Sequence, residues 1–292
     1  MSFKQNPSPV RCPALPGFGV LRVHGRDAAA FLQAQSMNDV SALAPGCWHW
    51  NGLLTPKGRV IFLFALARVA DEGFLLVAPD AGAGELKAHL QRFVFRSKLA
   101  LDADHGLVAA AGPGSEAGNH VLDAGDGAFG LDVSGDGGAR TLWLLPSGHP
   151  ALAPGDDGVT AAWRLADLAH GLPRLAPGQR EAWTPQMLSL ARLGAYSLRK
   201  GCYPGQEIVA RTHYLGEAKR GLARLAADAA LPDGTEVLGA DGQALGRLAS
   251  VAADGAACEA LAVLPAGLDA GAPLTAAGLP VRHLPLLDGL AR

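Results

Sequence analysis

Cysteine is scarce in this chain, whose 292 residues include only Cys12, Cys47, Cys202 and Cys258. The four lie far apart, and none has the CxxC or Cys/His spacing of a zinc site, so a preformed zinc centre is not expected. The N-terminal residues also lack the uninterrupted apolar region of a secretion signal. The cysteines are therefore predicted to be free thiols rather than a disulfide framework, and most are expected to be small buried residues.

Charged residues and long apolar runs are also few. Charged side chains make up 18% of the residues and the formal net charge is −2, which argues against a protein that holds nucleic acid by bulk electrostatics. Although 49% of the residues are hydrophobic, no stretch reaches the roughly 18 consecutive apolar residues of a membrane helix. We therefore expect a cytoplasmic protein without a membrane segment.

Nucleotide-binding motifs are missing as well. The stretch GFGVLR has two glycines but Arg22 where a dinucleotide fingerprint has its third, and no Walker-type GKS or GKT occurs. What the chain does have is 38 glycines and 20 prolines, which favour many turns and short elements over a long helical bundle. The length suggests about two or three domains.

The order of predicted elements indicates a mixed fold with a small β domain at its end. The predicted elements are a strand from about Gly19, a helix capped by Asp27, a hairpin of 60–69 and 73–78, an amphipathic helix over roughly 83–96, short strands within 106–160 and a short helix in 163–175. From about residue 221, strand-like runs alternate with turn signals, which predicts a separate β domain.

The stretch LRKGCYPGQEIVAR, residues 198–211, has features expected around a reactive thiol. Its two glycines and proline predict a tight turn before a helix that begins near EIVAR. Cys202 would then precede a helix N-terminus, beside Arg199 and Lys200, and both conditions favour thiolate over thiol. The alternative is a structural turn in which Cys202 fills a small pocket, and local chemistry alone leaves both open.

Positive charge is concentrated around the same stretch. The cations are Arg192, Arg199, Lys200, Arg211, Lys219, Arg220 and Arg224. These seven against Glu207 and Glu217 give a local net charge of 7 − 2 = +5. Such a basic strip suits a carboxylate-bearing cofactor, RNA or an acidic protein surface. The alternative is a solvated face paired to acids elsewhere.

KGCYPGQEIVAR resembles the K-G-C-Y-x-G-Q-E signature of the YgfZ family of folate-binding proteins, relatives of the aminomethyltransferase (T-protein) of the glycine cleavage system. VHGRDAAAFLQAQSMNDV is similar to the family's N-terminal pattern. LLTPKGRV, HGLPRL, PQMLSLARLGAYSLRKG and DGQALGRLAS follow the family in order and spacing. The resemblance covers about residues 18–290.

The resemblance implies an α+β fold. It consists of an aminomethyltransferase-like folate-binding body of interwoven ferredoxin-like subdomains over 1–217 and a C-terminal β-barrel over 218–292. It also implies a tetrahydrofolate-dependent role in supporting assembly or repair of iron–sulfur proteins, with an indirect effect on tRNA modification. The expected partners are a folate and iron–sulfur enzymes or their assembly proteins.

The resemblance also assigns candidate site residues. Cys202 is the expected functional thiol, with Lys200 beside it. Two aromatic positions that the family associates with folate fall on Phe18, which replaces a tryptophan, and on Trp163, and both could stack on a pterin ring. The remaining expected folate contacts are Tyr203, Gln206, Glu207 and Arg211.

One departure from the transferase branch bears on the chemistry. Where the aminomethyltransferases have a catalytic aspartate in a G-G-x-x-D-D stretch, the matching run GRVIFLF has Phe62 and Leu63. Neither side chain accepts a proton or holds a charge, so transfer by the T-protein mechanism is not expected. A folate-dependent transferase that uses Asp39 and a tRNA-binding protein that uses the basic strip are the alternative functions.

Overall fold

The computed structural model of the chain describes residues 10–214, 216, 218–255 and 257–292. Its first elements are β1 (Cys12–Pro13), β2 (Phe18–His24), α1 (Ala28–Gln35), β3 (Cys47–Leu54), β4 (Val60–Ala70), β5 (Gly73–Pro79), α2 (Ala83–Gln91) and β6 (Ala100–Ala103). Five of these strands form an antiparallel sheet in the order β3-β4-β5-β2-β6. The strand predicted from Gly19 and the predicted hairpin are confirmed.

Strand β4 is apolar along most of its length because both faces of this sheet are buried. Phe62, Phe64 and Leu66 pack in a core that includes residues of α1 and α2. Leu63 and Ala65 belong to the core on the opposite face, as expected from the alternation of side chains along a strand. The sheet is therefore a middle layer with its two helices on one side.

A second sheet covers the other side of that core. The elements are β7 (Leu107–Pro113), β8 (Val121–Gly125), β9 (Ala128–Asp132), β10 (Arg140–Pro146), β11 (Leu152–Ala153) and α3 (Asp157–Ala169). The strand order is β7-β10-β9-β8, and β11 pairs in parallel with β1. Leu142 of this sheet and Trp163 of α3 join Leu63 in the shared core. The two sheets and α3 thus enclose one central apolar region.

The chain then passes through two 3₁₀ turns (Pro177–Gln179 and Leu190–Leu193) and α4 (Gln206–Tyr214) into a closed barrel. The barrel strands are β12 (Arg220–Ala227), β13 (Glu236–Leu238), β14 (Ala244–Asp254), β15 (Ala257–Pro265), β16 (Leu274–Ala276) and β17 (Leu279–Leu284). The predicted C-terminal β-barrel is confirmed, whereas the predicted boundary at residue 217 lies outside the described residues.

Residues after the barrel return to the body. Leu287 N–H donates to the carbonyl of Ala169 at 2.8 Å, and the indole Nε1 of Trp50 donates to the carbonyl of Leu290 at 2.9 Å. Leu290 is buried. The C-terminal segment therefore packs against the central apolar region that the two sheets enclose.

Two helix boundaries and one cap differ from the sequence-based expectations. The helix predicted over 83–96 ends at Gln91. The N–H groups of Phe93 and Val94 donate to the carbonyls three residues before them, as in a 3₁₀ turn, and Phe95 has a φ of +36°. The helix predicted from Trp163 already begins at Asp157, since the Asp156 carboxylate accepts from Val159 N–H at 2.8 Å.

Asp27 occupies the N-cap position of α1, as predicted. Its side chain does not cap the helix, however, but accepts from Lys98 N–H at 2.7 Å. Within the described residues, no helix has the length and apolar character needed to cross a membrane.

Candidate functional site

The stretch around Cys202 forms an exposed loop in front of a helix. α4 begins at Gln206, as the sequence predicts, and Cys202 lies in the loop just before it. Cys202 is exposed, whereas Cys12, Cys47 and Cys258 are buried, and all four are free. Cys202 is thus the thiol that solvent and other molecules reach.

A glycine fixes how closely this loop packs on the body. Gly205 has a φ of +82°, and a Cβ built on it would lie 2.6 Å from the carbonyl oxygen of Thr55 and 2.7 Å from Cα of Gly58. Backbone therefore meets backbone here, and a side chain cannot be accommodated. The loop is held against the turn between β3 and β4.

Lys200 anchors the other end of the loop. Its ammonium lies 2.6 Å from the carbonyl oxygens of Gln33 and Ser36 and 3.0 Å from that of Asn38. These carbonyls are at the C-terminal end of α1, where the helix dipole favours a cation. The residue is buried, and this burial lowers the pKa of Lys200 to about 8. This geometry gives Lys200 a positioning contact, and its expected catalytic role stays a prediction.

The loop is also closed by its own side chains. The amide Nε2 of Gln206 donates to the carbonyl of Lys200 at 3.1 Å. The Lys200 ammonium lies 5.0 Å from the ring centroid of Tyr203, and burial raises the pKa of that tyrosine to about 12. Tyr203 and Gln206 therefore shape the loop that carries Cys202.

Three of the seven cations of the basic strip pair with described carboxylates, which agrees in part with the second interpretation of the strip. Arg192 pairs with Asp288 at 2.6 Å, and Arg224 pairs with Glu259 at 2.7 Å. Arg211 pairs with Glu207 at 2.6 Å on the exposed side of α4. Lys200 is buried, and Glu217 of the strip lies outside the described residues.

Phe18 and Trp163, although distant in sequence, meet at one small cavity. It has a volume of about 10 Å³, and its lining includes both rings, Trp50 and Asp167. The guanidinium of Arg174 lies over the Phe18 ring at 4.8 Å from its centroid, and that of Arg140 lies over the Trp163 ring at 4.8 Å. The two predicted aromatic positions therefore share a site with buried cations.

A buried ion network joins these groups. Asp167 accepts from Arg140 at 2.7 Å and from Arg174 at 2.9 Å, and Arg174 also pairs with Asp80. The Asp167 and Arg174 side chains are 3% and 5% exposed. Within the described residues, Nε and Nη2 of Arg140 are buried without a hydrogen-bond partner. The site thus holds donors that the described protein groups leave unused.

These charged residues were missed by reasoning from the sequence. Asp167 lies one helical turn after Trp163 and on the same face of α3. A carboxylate on the apolar face of an amphipathic helix is the one signal that could have pointed to it.

An open cleft adjoins the aromatic cavity. It has a volume of about 350 Å³ and is lined by Gly17, Phe18, 80–82, Ala176 and Pro177. Phe18 lines both the cleft and the cavity. The cleft is within the roughly 300–1,000 Å³ range of small-molecule sites.

The structure does not bring the other expected folate contacts to this place. Tyr203, Gln206, Glu207 and Arg211 line neither the cavity nor the cleft. Glu207 and Arg211 bond to each other on an exposed helix surface. The expected folate role of these four residues stays a prediction.

The two positions that replace the expected aspartates face opposite sides of β4. Leu63 belongs to the core between the two sheets. Phe62 lies on the helix side, where the Arg180 guanidinium is 5.0 Å from its ring centroid and the His89 ring is 5.7 Å away. Neither residue supplies an acid or base to the cavity.

Comparison with known proteins gives both sequence relatives and a structural neighbour. A scan against models of protein families finds no match. The iron–sulfur cluster assembly factor IBA57, mitochondrial, of Homo sapiens is 31% identical over 270 residues, which cover 81% of this chain and 73% of the relative. The tRNA-modifying protein YgfZ of Colwellia psychrerythraea is 28% identical, over 75% of this chain and 74% of the relative.

Among solved structures, the glycine cleavage system aminomethyltransferase T from Bartonella henselae has the same fold. The TM-score is 0.72 at 18% sequence identity, and the match covers 96% of this chain and 86% of that chain. The expected aminomethyltransferase-like fold is confirmed.

Proposed function

This chain belongs to the family of the YgfZ and IBA57 proteins, and from that premise we propose that it supports the assembly or repair of iron–sulfur proteins. In this proposal Cys202 is the working thiol and a tetrahydrofolate is the ligand. An effect on tRNA modification would follow indirectly, through iron–sulfur enzymes that modify tRNA. The cytoplasmic location expected from the sequence remains part of the proposal.

The observation that carries the proposal is the way Cys202 is presented. The thiol is exposed, yet its loop is held by the buried ammonium of Lys200 at one end and by the close packing of Gly205 at the other. A thiol that is accessible on a fixed backbone is well placed to react with a group on a partner protein. A cysteine that only filled a pocket would be buried.

The aromatic site fits a reduced folate in its chemistry. The pterin of a reduced folate keeps a flat aminopyrimidinone ring with donors and acceptors on its edge, and Phe18 and Trp163 offer ring faces on which it could stack. Asp167 is an acceptor in the same wall, and Arg140 has two buried nitrogens without a partner among the described residues. Phe18 would stack on the ring, while Trp163 and Asp167 line the cavity that Phe18 also lines, and Arg140 contacts both of them.

The available volume decides where the ring would lie. The enclosed cavity of about 10 Å³ is smaller than a ring, whereas the adjoining cleft has about 350 Å³. We therefore propose that the pterin enters from the cleft and stacks on Phe18, which lines both spaces. A bound tetrahydrofolate would supply a carrier for one-carbon units.

The transferase alternative has less support. Phe62 and Leu63 offer no acid or base, and Asp39, the other candidate, uses its Oδ1 to accept from Gln33 Nε2 at 3.0 Å and from Ser41 N–H at 3.1 Å. That carboxylate stabilises the turn after α1. Direct tRNA binding also has less support because three of the seven cations of the basic strip are paired with carboxylates.

Complementation of a deletion strain tests the proposal. The wild-type protein is expected to restore the activity of an iron–sulfur enzyme that modifies tRNA, measured as modified nucleoside in bulk tRNA. Cys202→Ala is expected to accumulate as folded protein but to fail. Cys12→Ala, which removes a buried thiol, is the matched control and should restore the activity. Full restoration by Cys202→Ala would reject the working thiol.

A further inference from the structure

A large cavity lies between the body and the barrel, and neither Cys202 nor Phe18 lines it. It has a volume of about 440 Å³, and its walls include Arg59, Trp183 and Met187 of the body and Arg220, Glu236 and Arg247 of the barrel. This volume is in the range of small-molecule sites, roughly 300–1,000 Å³. We name it the interdomain cleft.

Three arginines in the interdomain cleft have no acidic partner in the part of the chain that the structure describes. No carboxylate oxygen of a described residue lies within 4.0 Å of the guanidinium nitrogens of Arg59, Arg220 or Arg247. Other arginines of the chain do have such partners, as Arg180 has Glu85 at 3.1 Å and Arg224 has Glu259 at 2.7 Å. The three guanidinium groups therefore bring positive charge into the cleft without forming an ion pair with a described carboxylate.

The arginines are fixed in place but keep free donors. Nη1 of Arg59 donates a hydrogen bond to the carbonyl of Ala182 at 2.6 Å, and Nη1 of Arg220 donates to the carbonyl of Leu245. Their remaining nitrogens have no partner among the described residues and are not among the buried polar atoms. They are therefore accessible to a ligand that enters the cleft.

Arg247 stacks on an aromatic ring, and its side chain has no hydrogen bond to another described residue. Its guanidinium carbon Cζ lies 5.6 Å from the ring centroid of Trp183. A guanidinium stacked on an aromatic face keeps the donors at its edge for bidentate contact with phosphate or carboxylate. Glu236 is opposite Arg247 in the β13–β14 pairing. The three arginines against this glutamate leave a net charge of 3 − 1 = +2 among these residues.

We infer that the interdomain cleft binds a small polyanion, a molecule with two or more phosphate or carboxylate groups. Two of the arginines come from the barrel and one from the body, so the ligand would join the two parts of the chain. Met187 and Val263 in the wall would contact an apolar portion of it. The inference does not depend on the proposed folate site, because neither Phe18 nor Trp163 lines this cleft.

Titration calorimetry with two kinds of polyanion tests the inference. Inorganic pyrophosphate represents the phosphate source and tri-γ-glutamate the carboxylate source. At least one is expected to bind with a Kd below about 1 mM. If only pyrophosphate or only tri-γ-glutamate binds, the ligand carries phosphate or carboxylate groups, respectively. If both bind, the site accepts either group. If neither polyanion binds with a Kd below about 1 mM, the inference is overturned.

Variants locate the binding. Arg247→Gln and Arg59→Gln are each expected to weaken it about tenfold or more, because each removes a charge-assisted contact. Arg282→Gln, on an exposed position of β17, makes the same charge change on the same barrel and should leave the Kd within about twofold. Thermal denaturation confirms that the variants fold. If all three variants weaken polyanion binding equally, or if none of them weakens it, the binding site is not the interdomain cleft.

Discussion

The ammonium of Lys200 lies 2.6 Å from the carbonyl oxygen of Ser36, although 164 positions separate the two residues in the chain. The contact places a buried cation at the C-terminal end of α1. Because Lys200 is two residues before Cys202, the position of the thiol loop depends on the N-terminal part of the body.

Replacement of this cation should therefore destabilise the fold. In Lys200→Met, three carbonyl oxygens lose a charged donor in a place that water does not readily reach. We expect the free energy of unfolding to fall by about 3 kcal/mol, measured by urea denaturation. Lys219→Met changes an exposed lysine and should alter it by less than about 0.5 kcal/mol. Equal effects of the two changes would contradict the anchoring role.

A methyl group at Gly205 should also displace the loop. Gly205→Ala adds a clash with Thr55 and Gly58 to the strain of a positive φ, and we expect a loss of about 3 kcal/mol or more in thermal or urea denaturation. Gly242 has a φ of +75°, and a Cβ at this position would meet no atom within 4 Å, so Gly242→Ala isolates the backbone strain at about 1 kcal/mol. If both variants lose the same stability, close packing does not explain Gly205.

The four cysteines should react at very different rates. Maleimide labelling of the native protein is expected to modify Cys202 first, because the other three are buried. Mass spectrometry of peptides gives the order, and Cys202→Ala should remove the fast phase. Rapid modification of Cys12, Cys47 or Cys258 in the native state would show that these thiols are not buried in solution.

His49 should make stability depend on pH. Burial lowers its pKa to about 4 from an ordinary 6.5, with a further contribution from Lys200. Between pH 6.5 and 4 the unfolded chain binds a proton that the folded chain does not, so the free energy of unfolding falls as the pH drops through this range. The loss over the whole range is about 3 kcal/mol.

His49→Gln should remove this loss while keeping a polar contact to Asn51, whose Nδ2 is 3.2 Å from the imidazole. Urea denaturation at about pH 7 and about pH 4 measures the difference. His105→Gln, at an exposed position, is the control and should retain the loss. An unchanged pH dependence in His49→Gln would contradict the buried neutral imidazole.

Local patterns predicted much of the fold. The hairpin of β4 and β5 follows from two apolar runs around a turn, and the start of α4 follows from the glycines and proline before EIVAR. The pairing of Arg174 with Asp80 and Asp167 could not be predicted, because it joins residues from separate elements. The two interpretations of the basic strip could not be separated for the same reason, since Arg224 meets its acid partner across a strand pair.

A reduced folate should bind the aromatic site independently of the Cys202 thiol, and this is the central claim about the protein. Titration calorimetry of tetrahydrofolate into the wild type, Phe18→Ala and Cys202→Ala tests it, with Phe95→Ala as a control at a side chain that is 89% exposed. The wild type, Cys202→Ala and Phe95→Ala should bind with similar Kd, whereas Phe18→Ala should bind about tenfold more weakly or not at all. Absence of binding to the wild type, or an unchanged Kd in Phe18→Ala, would contradict the claim.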